Sequence, residues 1–145
     1  MKKTTQIAFV FVVVLMLASC KNTKQKIQEH VTTYNTLSSI NGPNITSTSA
    51  KAFLKDNKIE IRIETNLEET DENKLAYGKS FPDLLKGMIE NNQISKELID
   101  EDVKFDVYLL AYNNSIIAKQ LIGKEELAAF TGSGGSAVKK VAAKL

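Results

Sequence analysis

The stretch that decides the fold is Val103–Ile122, VKFDVYLLAYNNSIIAKQLI. Val103, Phe105, Val107, Leu109 and Ala111 alternate before Asn113-Asn114, and Ile116, Ala118, Gln120 and Ile122 alternate after it. A period of two marks strands with one buried face, and an Asn pair between two such runs predicts a β-hairpin. With a two-residue turn these residues all fall on one side. The other side carries Tyr108, Leu110, Tyr112, Ile117 and Leu121 beside Asp106 and Lys119. Such a face is either the second buried side of a central strand or a contact surface. On the contact reading Tyr108, Leu110, Tyr112 and Ile117 form a candidate partner surface, because Tyr offers a large, stiff ring together with a pairing hydroxyl.

Working outward, Thr48–Thr65 reads as a similar hairpin. Ile59, Ile61 and Ile63 alternate with Glu60, Arg62 and Glu64, and Asp56-Asn57 supplies a two-residue turn. That turn would set Leu54 against Ile59, Ala52 against Ile61 and Ala50 against Ile63, with Lys51 beside Arg62 on the solvated side. Ile27, Val31, Tyr34 and Leu37 recur at helical spacing within 22–40, and Asn41-Gly42-Pro43 ends that helix. After a polar, acid-rich stretch over 66–74, Ser80-Phe81-Pro82-Asp83 reads as a helix start with Leu84, Leu85, Met88 and Ile89 inward. Ser95 caps a second short helix with Leu98 and Ile99 inward. The order helix, hairpin, helix, hairpin predicts an α+β fold: a small antiparallel sheet of two hairpins with helices packed on one face.

The chain begins MKKTTQIAFVFVVVLMLASC, with Lys2 and Lys3 before an apolar run from Ile7 to Leu17 that ends in Ala18 and Ser19. This is the order of a secretory signal, and at about 1.5 Å per residue the run is too short for a bilayer core of about 30 Å. Leu17-Ala18-Ser19-Cys20 resembles the lipobox of bacterial lipoproteins, and the chain's one Cys stands directly after the hydrophobic run. The resemblance implies cleavage before Cys20, a diacylglyceryl group on its thiol carrying fatty acids such as palmitate, and an exported chain held at a membrane of the cell envelope. Lys21, not Asp, follows the Cys, which under the enteric sorting rule implies the outer rather than the inner membrane of a Gram-negative cell. Residues 1–19 are then a signal peptide, 20–26 the lipidated Cys and a short tether, and 27–131 a single α+β domain. Residues 132–145 are a Gly/Ser linker with a basic tail, and such linkers also occur as engineered fusion scars.

Loss of Lys2 and Lys3 with the signal leaves 17 basic against 17 acidic residues, without the basic field of a nucleic-acid binder. One Cys and one His exclude a structural zinc site and a disulfide framework. Gly78-Lys79-Ser80 has the ending of a phosphate loop, but Asn73 stands where its first Gly belongs, so no nucleotide is expected. The acids Glu68, Glu69, Asp71 and Glu72, and Asp100, Glu101 and Asp102, lack the spacing of a calcium loop. His30 lies off the apolar stripe and reads as exposed, and Ser136-Ala137-Val138-Lys139 matches S-x-x-K by letters only. No catalytic residue, metal or cofactor is expected.

These readings favour a membrane-anchored envelope lipoprotein acting as a non-enzymatic binding or interaction module. A lipoprotein inhibitor or immunity protein against a toxin or hydrolase is the alternative, and a small hydrolase with an unrecognised carboxylate site the third reading. The anchor is directly testable: radiolabelled palmitate is expected in the wild type and absent from Cys20→Ser, and equal labelling of both removes the anchor.

Overall fold

The computed structural model describes residues 21–37, 40 and 42–132. Along the chain these form α1 (Thr23–Leu37), β1 (Ile45–Phe53), a 3-10 turn (Leu54–Asp56), β2 (Lys58–Thr65), α2 (Asp71–Glu90), α3 (Lys96–Asp100), β3 (Lys104–Leu110), β4 (Ile116–Ile122) and α4 (Lys124–Thr131). The four strands make one sheet in the order β1-β2-β3-β4, an α+β fold. Both hairpins are antiparallel, but β2 and β3 pair in parallel, so the sheet is mixed and not wholly antiparallel. The long helical connection between β2 and β3 returns the chain across the sheet, and such a crossover delivers the next strand in the same direction.

The parallel register sets Ile59 beside Phe105, Ile61 beside Val107 and Ile63 beside Leu109, and all six are buried. Ile27 and Tyr34 of α1, Phe81, Leu85, Met88 and Ile89 of α2, and Leu98 and Ile99 of α3 complete the core with them. Leu37, expected inward, is 75% exposed. At 3.6 residues per turn it stands about 60° around the helix from Tyr34, so the stripe has rotated past it.

Turn chemistry accounts for the differences within the hairpins. A two-residue type I′ turn needs positive φ at both central residues. Only Asn57 of Asp56-Asn57 has one, at 45°, and only Asn114 of Asn113-Asn114, at 66°. The first connection therefore widens to Leu54–Asn57, and Phe53 pairs with Lys58, Ala52 with Ile59 and Ala50 with Ile61. This is a slip of two residues from the expected register, which keeps every side chain on its expected face. It also sets Lys51 across from Glu60 and not Arg62. In the second hairpin Phe105–Ile122, Val107–Gln120 and Leu109–Ala118 pair as expected, and a bulge then matches Leu110 with Ile116. The bulge reverses the inward order near the turn: Ile117 is buried in the core and Ile116 is 46% exposed.

The helix expected from Ser80 begins nine residues earlier, at Asp71. Thr70 caps it by accepting from the Asn73 backbone N–H at 3.1 Å, and Asp71 and Glu72 suit the positive end of its dipole. Pro82 lies inside the helix, where it cannot donate to the Gly78 carbonyl. Buried Phe81 and Leu85 on either side of it hold the helix to the sheet. Ser95 caps α3 as expected, accepting from Leu98 N–H at 3.3 Å. The sequence reading has no counterpart for α4, whose Leu127 is buried.

α1 also closes the edge of the sheet. The Asn35 carboxamide donates to the Ala50 carbonyl at 2.9 Å and accepts the Ala50 N–H at 2.7 Å, occupying backbone groups of edge strand β1. Asn35→Ala is expected to cost about 1–3 kcal/mol in chemical denaturation, since both backbone groups lose their partner. A change below about 0.5 kcal/mol would show that water replaces the amide without penalty.

Candidate functional site

Three surface features stand out: the sheet face opposite the helices, one end of the domain, and the groove between α1 and α2. On the sheet face, parity in the strands groups Lys51 and Phe53 of β1, Lys58, Glu60, Arg62 and Glu64 of β2, Asp106 and Tyr108 of β3, and Lys119 and Leu121 of β4. Lys51 and Lys58 place their ammonium groups 5.2 and 5.0 Å from the Phe53 ring centroid, and Lys119 stands 4.9 Å from that of Tyr108. The Tyr108 hydroxyl donates to Asp106 Oδ2 at 2.8 Å. The Tyr108 hydroxyl, and behind it the charges of Asp106 and Glu60, hold the Lys119 ammonium above its ordinary lysine value.

The structure divides the candidate partner residues. Leu110 and Ile117 are buried, Tyr108 is half-buried and tied to Asp106, and Tyr112 is 66% exposed. They do not form one surface, because the bulge turns Ile117 inward. Cys20 lies outside the described residues, as does Ser136-Ala137-Val138-Lys139. Gly78-Lys79-Ser80 falls inside α2, where its backbone forms helix and no phosphate-cradling loop.

The two ends of the domain differ. At the end where α1 starts, the Thr23 hydroxyl donates to Glu101 at 2.8 Å, and Lys26 bridges Glu101 and Glu97. Hydrogen bonding to Glu101 and then Glu97 raises the Lys26 ammonium, while Lys26 and then Thr23 lower the Glu101 carboxyl. From there β3 runs seven residues, about 23 Å, to the opposite end. At that end Tyr112 N–H donates to the Leu67 carbonyl at 2.9 Å, and Glu69 pairs with Lys74 at 2.8 Å. Lys74 and then the Ser115 hydroxyl pull the Glu69 carboxyl below its usual range, tying the start of α2 to the β3–β4 turn. Among the described residues five large apolar side chains are exposed: Leu37, Leu75, Tyr112, Ile116 and Leu121. Leu75, Tyr112 and Ile116 lie at this second end, where α2 begins and the β3–β4 turn projects, and Leu37 borders the groove between α1 and α2.

His30, expected to be exposed, is half-buried in α1. Its ring meets Phe105 edge-on at 5.5 Å between centroids, and Nε2 donates to the Gln93 carbonyl at 2.9 Å. His30 also borders a groove of about 680 Å³ between α1 and α2, with Tyr34, Leu84 and Met88 in its wall and Asp83 at its rim. Among the described residues no three His, Cys, Asp or Glu side chains converge as a metal site. No helix of the described residues is long and apolar enough to cross a membrane.

Sequence reasoning missed His30 and the buried Asp106. The signal for Asp106 was present, since a lone Asp within FDVYLL is costly in a central strand unless it is paired. Comparison of the chain with protein-family models, with curated proteins and with solved structures returns no match.

Burial lowers the His30 pKa from its ordinary 6.5, against the opposing effect of its bond to Gln93. A depressed histidine contributes stability that is whole above the unfolded value and declines as pH falls through it. The stability of the wild type is therefore expected to drop on acidification below about pH 6.5, and that of His30→Gln to drop less in the same window. Parallel pH profiles in urea denaturation would exclude His30 as the cause.

Proposed function

We propose that this chain is a membrane-anchored lipoprotein of the cell envelope whose α+β domain is a non-enzymatic binding module for an envelope protein. The observation that carries the reading is the placement of exposed Leu75, Tyr112 and Ile116 at the end of the domain opposite the start of α1. The lipobox-like Leu17-Ala18-Ser19-Cys20 places the anchor three residues before α1, a reach of about 10 Å when extended. On this reading the membrane holds the Thr23–Glu101 end and the apolar end is presented away from it. Exposed large side chains grouped in this way favour a protein partner, since each contributes desolvated area on contact and costs little stability when free.

The test is recovery of partners from membranes carrying the native, lipidated protein after chemical crosslinking. Tyr112→Ala and Leu75→Ser are each expected to reduce recovery of a specific partner by at least about tenfold while changing folding stability by less than about 1 kcal/mol. Lys24→Ala, at the anchor end, is expected to leave recovery unchanged. Equal recovery with all three variants would remove the apolar end as the binding surface.

A further inference from the structure

The open face of the sheet holds one group whose hydrogen bonding is incomplete. Asp106, in central strand β3, is 5% exposed. Its Oδ2 accepts from Tyr108 at 2.8 Å and lies 3.9 Å from the Lys58 ammonium, while its Oδ1 is buried with no hydrogen-bond partner among the described residues. A buried acceptor left without a donor is costly, and its presence in a native structure calls for a specific cause. In the parallel register Asp106 stands beside Glu60, whose side chain is 18% exposed and lies 3.8 Å from Arg62. Two carboxylates from adjacent strands thus enter one patch.

Charge is not what this patch lacks. Lys51 stands across from Glu60, and Lys58, Arg62 and Lys119 lie around the carboxylates. A metal ion or polyamine would meet these cations at close range, and an anion would meet the carboxylates. Oδ1 lacks a donor, and the neighbouring ammonium, guanidinium and carboxylate groups can engage a ligand that both donates and accepts. Hydroxyl groups do both, and a saccharide presents one at nearly every position.

We propose that the open sheet face, centred on Asp106 and Glu60, binds a saccharide chain, one hydroxyl donating to Asp106 Oδ1, another to the Glu60 carboxylate, and others accepting from Lys58 and Lys119. Lys58 and Lys119 are long, flexible side chains, so a hydroxyl enters by their changing rotamer with the strands unmoved. The backbone of β2 and β3 holds the carboxylates in fixed register, which gives the site its preorganisation. This site is separate from the apolar end and does not depend on a protein partner there.

The experiment titrates the full chain, in detergent micelles, with two soluble probes: a β-1,4-linked N-acetylglucosamine tetramer and maltotetraose. Glucose serves as the single-sugar arm, and the readout is the backbone amide spectrum. Saturable shifts confined to β2 and β3 are expected with at least one tetrasaccharide, and weaker ones with glucose. Asp106→Asn, which can turn an amide N–H where Oδ1 stood, is expected to weaken binding by about tenfold or more, and Glu60→Gln to do so with the fold intact. Should Asp106→Asn fail to fold, Glu60→Gln decides alone, because its side chain is less buried. Absence of saturable shifts with either tetrasaccharide, or undiminished binding by Glu60→Gln or by a folded Asp106→Asn, overturns the proposal. Neither result bears on partner recovery through Tyr112 and Leu75.

Discussion

The parallel pairing of β2 with β3 is the constraint on which the rest of the molecule depends. It sets Ile59, Ile61 and Ile63 against Phe105, Val107 and Leu109, a block with no polar side chain. Burying a side chain of this size is worth about 1.5–3 kcal/mol, so the block outweighs any single surface feature. Because strand side chains alternate, the same pairing sends Lys58, Glu60 and Arg62 with Asp106 and Tyr108 to the opposite face. The core and the charged face therefore arise from one register. A one-residue slip would put Glu60 and Arg62 into the helices and expose the isoleucines, so the register is strongly specified.

Parallel neighbours demand a crossover, and α2 with α3 supplies it across the apolar face. This connection brings the start of α2 beside the β3–β4 turn, where Glu69 meets Lys74 and Ser115, and carries its end back toward the foot of α1. α1 takes the remaining strip of apolar sheet and uses Asn35 to occupy the edge of β1. Two helices of 15 and 20 residues thus serve a four-stranded sheet, each about as long as the strands they cover or longer. Where they outrun the sheet, apolar side chains such as Leu37 and Leu75 lose their partners and stand in solvent.

Period and polarity in the sequence carried the fold class, both hairpins, the Ser95 cap and the inward faces of all four strands except near one bulge. What they could not carry was any feature decided by φ at a single residue or by contact between distant elements. Asp56-Asn57 and Asn113-Asn114 both look like two-residue turns, yet in each only the second residue takes positive φ, which lengthens one loop and bulges the other. Thr70 and Ser80 are both of capping type, and the earlier takes the role by accepting from Asn73 N–H, while the Ser80 hydroxyl donates to the Tyr77 carbonyl inside the helix. The parallel join of the hairpins has no local signature, because each hairpin reads the same in either arrangement. Of the site, Tyr108 was legible as an aromatic side chain on the face opposite the core, whereas the partnerless oxygen of Asp106 emerges only when β2 is set beside β3.

Asp106 also bears on why the two faces of the sheet differ in more than polarity. A central strand could carry Thr or Val at this position and avoid desolvating a carboxylate, a cost of several kcal/mol when no partners compensate. The compensation present is partial: one good hydrogen bond from Tyr108, and Lys58 at a distance too long for another. Lys119 is engaged by the Tyr108 ring and hydroxyl, and Lys51 and Lys58 by Phe53, so the cations are shared among aromatic and acidic partners. Stability alone would place more donors on Asp106 or remove the charge. A face so arranged is better suited to exchanging its internal contacts for those of a ligand than to holding strands together, and the apolar block beneath it already holds them.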